Sequence, residues 1–118
     1  MFQKMIEINM LYDFYGQLLT ARQKEILKLY YEDNFSVSEI AEAFSISRQA
    51  VHDTIKKAEK ALREYESKLG LVQKFEATEE VIAAIDLEIN RLIKENSQNE
   101  RLKEGLQKIK SIIDQINE

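Results

Sequence analysis

The stretch SVSEIAEAFSISRQAVHDTIKKAEKAL, residues 36–62, decides the fold of this chain. Ser36 and Glu39 have the spacing of a capping box, which predicts that a short helix begins here. Residues 45–47 then form a three-residue turn, and a second helix follows. Two helices joined by such a turn, with the small Ala41 where they cross, define a helix-turn-helix.

The second helix of this motif has an apolar stripe on one side and polar side chains on the other. The hydrogen-bonding groups of these polar side chains are suited to DNA. Arginine can bond guanine bidentately, glutamine can do the same to adenine, and a carboxylate can accept a hydrogen bond from cytosine. Lysines are better suited to backbone phosphates, and a capped helix start directs its first amides toward an anion. The candidate DNA-binding residues are therefore Ser47, Arg48, Gln49, His52, Asp53, Lys56, Lys57 and Lys60. The alternative is a generic helical hairpin with a merely solvated face.

The segments on either side of this motif are also predicted to be helical. Residues 1–19 form an apolar amino-terminal helix, so apolar on several sides that either the domain or a second chain must cover it. Thr20 opens another capping box, and residues 20–70 make up the helix-turn-helix DNA-binding domain, ending at Gly70 as a left-handed helix stop. We expect an all-α helix-turn-helix fold that is not a winged helix.

Residues 71–118 are predicted to form a carboxyl-terminal helical segment for interaction or dimerisation, as a helical hairpin or a dimer seam. Two heptad-like apolar series are out of phase by one residue, which indicates two helices joined near residues 96–99. Thr78, followed by two glutamates, has the pattern of a helix start. The apolar positions of the two series are Ile82, Ile85, Ile89 and Leu92, then Leu102, Leu106, Ile109, Ile113 and Ile116.

Composition excludes several classes of site in this chain of 118 residues. It contains no cysteine and one histidine, which leaves no disulfide, thiolate or histidine-based zinc site. The common nucleotide-binding and hydrolase signatures are also absent, so we expect neither catalysis nor a cofactor nor a metal. The first residues lack the features of a signal peptide, and no run approaches the roughly 20 apolar residues of a membrane span. We expect a cytoplasmic protein.

The net charge of −4 is unevenly distributed along the chain. Residues 1–19 carry −1, residues 20–65 are neutral and residues 66–118 carry −3. Within the neutral part, residues 45–65 hold five basic against three acidic side chains, a local charge of +2. This modest positive field coincides with the candidate reading helix, and a local field steers a polyanion more than total charge does.

Four segments together resemble the promoter-reading fourth region of bacterial sigma factors, although Ser45 stands where sigma-like motifs usually have glycine. They are LTARQKEIL at 19–27, SEIAE at 38–42, ISRQAV at 46–51 and KAEKAL at 57–62. The whole chain is similar to the YlxM-like family, whose members share the apolar first helix, the stretch SRQAVH at 47–52 and an acidic helical tail. The genes of that family lie next to those of the signal recognition particle. The resemblance implies a DNA-binding or regulatory protein acting in that co-translational targeting pathway.

Two hypotheses follow from these patterns. The first is a transcription regulator that binds double-stranded DNA as a homodimer and places two helix-turn-helix units on half-sites. The second is an interaction protein that binds the signal recognition particle's protein or RNA, with the helix-turn-helix kept as scaffold. Fold alone does not decide between them.

Overall fold

The computed structural model describes the backbone of residues 2–117, which is helical almost throughout and contains no strand in that range. This confirms the predicted all-α class with a helix-turn-helix. The helices are α1 (Phe2–Tyr15), α2 (Ala21–Tyr31), α3 (Val37–Phe44), α4 (Arg48–Leu69), α5 (Leu71–Glu95) and α6 (Glu100–Asp114), with 3-10 turns over Gly16–Leu18 and Gln115–Asn117.

Short polar side chains define where these helices begin. The Thr20 and Ser36 side chains each accept a hydrogen bond from the backbone amide of the third helical residue. The side chains of Gln23 and Glu39 in turn accept one from the backbone amide of the cap residue, so both predicted capping boxes are present. Asn99 caps α6 in the predicted joint between the last two helices. Each of these bonds satisfies amides that a helix start otherwise leaves without a partner.

Described residues up to Val72 form one compact unit around a single core. The helices α1, α2 and α3 all contact α4 within this unit. One side of the apolar α1 is therefore covered by the domain itself, while Phe2 and Ile6 remain exposed. The buried core consists of Ile8, Leu11, Tyr15, Leu19, Ile26, Leu27, Ile40, Ala41, Val51, Ile55, Ala58, Leu62 and Val72.

Residues from Gln73 onward form a second unit, made of most of α5 together with α6. Lys110 Nζ donates a 3.0 Å hydrogen bond to Asn90 Oδ1, which places the later part of α6 beside the later part of α5. The two helices run antiparallel as the predicted hairpin. Only Ile82, Ile89 and Leu106 of the two predicted apolar series are buried.

The predicted helix start at Thr78 is wrong, because α5 already begins at Leu71, directly after Gly70. Gly70 has a φ of 62° and stops α4 in the left-handed conformation, as expected. Thr78 lies inside α5 and its hydroxyl donates to the Lys74 carbonyl oxygen at 2.9 Å. A threonine can satisfy its hydroxyl on the preceding turn of a helix, so it need not mark an end.

None of the helices described is long and apolar enough to cross a membrane.

Candidate nucleic-acid interface

The turn between α3 and α4 is closed by two backbone hydrogen bonds. Ile46 N donates to the Ala41 carbonyl oxygen at 3.0 Å, and Ser45 N donates to that of Glu42 at 3.3 Å. This is the pattern of a Schellman motif, which requires its turning residue to be left-handed. Ser45 has a φ of 55° and a ψ of 43°. A residue with a Cβ atom is thus held in a backbone conformation that only glycine adopts without penalty.

A cation–π contact fixes the end of α3 against α2. The Arg22 guanidinium lies 4.8 Å from the centre of the Phe44 ring. Beneath the turn, Ile40 and Val51 are fully buried, which locks the two helices of the motif together. The start of α4 is thereby held on a rigid support.

All eight predicted site residues are exposed on or just before the first four turns of α4. Ser47 caps the helix by accepting a 3.0 Å hydrogen bond from Ala50 N. On the opposite side of the same turns, Val51, Ile55 and Ala58 enter the core. The helix thus divides cleanly into a buried anchor and an exposed polar face. We call the exposed set Arg48, Gln49, His52, Asp53, Lys56, Lys57 and Lys60 the reading face.

Two members of the reading face are hydrogen-bonded to each other. Gln49 Nε2 donates to Asp53 Oδ1 at 2.9 Å, across one turn of α4. The acidic residue is therefore engaged within the helix. The bond uses one N–H of the Gln49 amide, and it leaves the other N–H and the carbonyl oxygen of that amide available to a further partner.

A buried carboxylate lies on the other side of α4 from this hydrogen bond. Glu59 is 2% exposed, accepts a hydrogen bond from the Tyr31 hydroxyl and forms a 3.3 Å ion pair with Lys4 Nζ. Burial, together with the neighbouring Glu59 carboxylate, raises the pKa of the Tyr31 hydroxyl far above its ordinary value. The Tyr31 hydroxyl therefore stays protonated and donates, and Glu59 joins α4 to both α1 and α2.

The end of α4 is held by a second tyrosine. The Tyr15 hydroxyl donates to Glu66 Oε1 and accepts a 3.0 Å hydrogen bond from Leu71 N, while Val72 N donates to the same Glu66 oxygen at 3.0 Å. Burial raises the pKa of the Tyr15 hydroxyl, and the hydrogen bond to Glu66 raises it further. These bonds supply partners for the first amides of α5, which has no preceding capping side chain.

Sequence reasoning missed Glu59, Tyr15 and Glu66 as functional supports of α4. A weak signal existed for Glu59, since it lies four residues after Ile55 and three before Leu62, at the edge of the apolar stripe. A charged residue at that position is ordinarily exposed, and only the distant Tyr31 and Lys4 make it a buried one.

The chain matches the family described as "UPF0122: Putative helix-turn-helix protein, YlxM / p13 like" over residues 2–118. It is 41% identical to a UPF0122 protein of Listeria welshimeri, over 95% of this chain and 99% of that protein. It is 45% identical to one of Desulforamulus reducens, over 95% of this chain and 92% of that protein. A third relative, from Halalkalibacterium halodurans, is 51% identical over 70% of this chain and 75% of its own length. The chain therefore belongs to the YlxM/p13-like UPF0122 family of helix-turn-helix proteins.

Proposed function

We propose that this protein is a sequence-reading, double-stranded DNA-binding regulator that inserts α4 into the major groove. The observation that carries this proposal is the division of α4, whose first four turns expose basic and amide side chains opposite a fully buried anchor. A recognition helix needs both properties, because base contacts demand fixed positions and free side chains at once.

The proposed base-reading residues lie at the start of the helix, where recognition helices meet base edges. Arg48 is exposed and can give two parallel hydrogen bonds to guanine. Gln49 is held by Asp53 in an orientation that still offers one donor and one acceptor, the pair that adenine requires. His52 lies one turn further on the same face and can donate to a base acceptor.

The proposed phosphate contacts come from the lysines and the capped helix start. Lys56, Lys57 and Lys60 are exposed along the next two turns of α4. The Ser47 hydroxyl accepts from Ala50 N, which leaves its own hydrogen available to a phosphate oxygen. These contacts would position the duplex without reading it.

A homodimer would place a second helix-turn-helix on the second half-site of the DNA. Residues 71–118 are proposed as the dimerisation segment, since the unit they mostly form exposes several large apolar side chains. A two-fold dimer places two recognition helices about one helical turn of DNA apart, roughly 34 Å.

Selection of bound sequences from random duplex DNA, using the full chain at low salt, tests the proposal. We expect enrichment of an inverted repeat with guanine and adenine in each half-site. Affinity should fall steeply with salt concentration, because each neutralised phosphate releases a counterion. No retained sequence, together with no duplex binding at about 50 mM salt, would contradict DNA reading.

The family resemblance and the net −3 of residues 66–118 favour a second candidate. In it, the protein binds the protein or RNA of the signal recognition particle and modulates co-translational targeting. The major groove of A-form RNA is too narrow for α4, so RNA binding would depend on lysines and arginines generally. Binding of purified particle components by the full chain, unchanged in Gln49→Ala, would favour this candidate. Absence of binding to either component would remove it.

A further inference from the structure

The helix α6, together with the 3-10 turn Gln115–Asn117 that follows it, carries two apolar rows, and only one of them is covered within the chain. Leu106 is buried and Ile113 half-buried, on the face that also carries Lys110, whose ammonium group bonds Asn90 of α5. This face closes the hairpin. The other row remains open to solvent in the single chain, with relative exposures of 41% at Leu102, 48% at Ile109, 55% at Ile112 and 64% at Ile116.

Gly105 lies in the middle of the open row. The positions 102, 105, 109, 112 and 116 alternate spacings of three and four residues, which is the repeat of a helix that packs on another helix. We call these five residues the glycine row. Glycine is disfavoured inside a helix relative to alanine, so its place here needs a reason.

Nothing in the described part of the chain supplies that reason. A Cβ atom built on Gly105 would have no neighbour within 4 Å, and the helical backbone here needs no glycine. A gap in an apolar row does serve a purpose when a bulky side chain from another helix enters it. Gly105 thus points to a packed helix that comes from outside the single chain.

We propose that the glycine row packs antiparallel on the glycine row of a second copy of this chain. A two-fold axis makes such a contact reciprocal. In the register that faces Gly105 with Ile109 of the partner subunit, Leu102 faces the partner's Ile112. Each gap then receives a branched side chain and Leu102 meets Ile112, while Ile116 lies beyond the end of the facing row. The row is complementary to itself, which selects a second copy as its occupant.

The charges beside the glycine row agree with the same register. Glu104 and Lys108 are both exposed and lie on the flank of α6 that points away from α5. Antiparallel packing brings this flank of one copy against the same flank of the other. Glu104 of each chain then lies within reach of the partner's Lys108, so opposite charges border the apolar contact on both sides of the axis.

This inference rests on the proposed homodimer and names its contact surface. It is tested with the full chain by sedimentation equilibrium at micromolar concentrations. The wild-type protein is expected to be dimeric, and Gly105→Leu is expected to raise the dimer dissociation constant at least tenfold while far-ultraviolet circular dichroism stays unchanged. The matched control is Gln107→Leu, which adds the same side chain to an exposed position outside the row and should leave the dimer intact.

Two further variants test which residues face each other across the two-fold axis. They also distinguish the loss of the dimer from a failure to fold. Combining Gly105→Ile with Ile109→Gly should restore dimerisation that Gly105→Ile alone abolishes, because the two positions face each other across the axis. Ile112→Glu changes a residue that is 55% exposed, and it should give a folded monomer. A wild-type monomer at 100 μM, or a Gly105→Leu dimer as tight as wild type, would overturn the proposal.

Dimerisation and DNA binding are measured separately, so the two proposals fail separately. A wild-type dimer that Gly105→Leu dissociates supports the glycine row even if no duplex binds. Conversely, a monomeric wild-type protein that still binds duplex DNA would retain the reading face and reject the glycine row.

Discussion

Gln49 and Asp53 form a hydrogen-bonded pair on the exposed face of α4, with Nε2 and Oδ1 2.9 Å apart. A carboxylate on a surface meant for DNA ordinarily opposes binding, since it adds repulsion from the phosphates. Here it also orients the amide proposed to read adenine. Under the proposed function, Asp53 is a positioning residue that lowers affinity for DNA and raises selectivity for its sequence.

Asp53→Ala is expected to raise affinity for unrelated duplexes and to reduce discrimination at the adenine position about fivefold, roughly 1 kcal/mol. The first effect comes from removing a negative charge and the second from freeing the Gln49 amide. Competition binding with a selected site and its single-base variants measures both. Asp53→Asn is the control, because its amide oxygen can still accept from Gln49. If Asp53→Ala retained full discrimination, Asp53 would have no positioning role.

Arg48→Ala and Gln49→Ala are expected to relax sequence preference by about 1–3 kcal/mol each at one base position. Lys57→Ala should instead weaken all duplexes similarly and lower the slope of log affinity against log salt by about 0.9, the contribution of one phosphate contact. Titrations at several salt concentrations separate the two patterns. Equal loss on every sequence for Gln49→Ala would argue against base reading by that residue.

Ser45→Gly is expected to stabilise the protein by about 1 kcal/mol, because a left-handed residue with a Cβ atom is strained by roughly that amount. Ser45 has a φ of 55° and its backbone bonds do not involve its side chain. Urea unfolding measures the change in free energy. Ser45→Ala keeps the Cβ atom and should not give the gain. A destabilised Ser45→Gly variant would mean that the serine hydroxyl contributes to the turn.

Glu59→Ala is expected to lower the free energy of unfolding by about 2 kcal/mol, since it leaves the Tyr31 hydroxyl without its acceptor and removes the partner of Lys4. Glu64→Ala, an exposed position on the same helix, is the matched control and should change stability by less than about 0.5 kcal/mol. Thermal and urea unfolding of both variants give the comparison. Similar stabilities would show that the buried carboxylate has no net stabilising effect.

Acidification is expected to weaken the capping box at the start of α3. The Ser36 backbone amide donates to the Glu39 carboxylate, which lowers the pKa of that carboxyl below its ordinary value of 4.5. The ionised form is thus favoured in the folded protein. Its contribution is complete above the ordinary pKa and is lost as the pH falls through the lowered one.

The measurement for this prediction is the free energy of unfolding between pH 7 and pH 3. Glu39→Gln keeps an oxygen acceptor for the Ser36 amide but cannot titrate. The variant should therefore lose less stability than wild type over the acid range. An identical pH profile would exclude Glu39 as a contributor to acid sensitivity.

Local features of this fold could be predicted from the sequence, because they depend on residues within one turn of each other. Both capping boxes, the left-handed Gly70 and the joint capped by Asn99 are of this kind. The spacing of Val51, Ile55 and Ala58 likewise predicted which face of α4 is buried, and hence which candidate residues are exposed.

Features that join distant parts of the chain could not be predicted in the same way. The burial of Glu59 depends on Tyr31 and Lys4, which are 28 and 55 positions away in the sequence. The start of α5 at Leu71 depends on a hydroxyl from Tyr15, so it has no local signature. The two apolar series of the tail likewise did not reveal which of their positions the hairpin buries.

The separation of anchor and reading residues on α4 has a practical consequence. No side chain of the reading face enters the core, and no core side chain of this helix reaches the exposed surface. Substitutions on this face are therefore expected to leave the fold of the domain unchanged, even when several are combined. They include changes at Arg48, Gln49, His52, Asp53 and Lys56. Under the proposed function, a few point mutations on this face would change the DNA sequence that is bound while leaving the core of the domain intact.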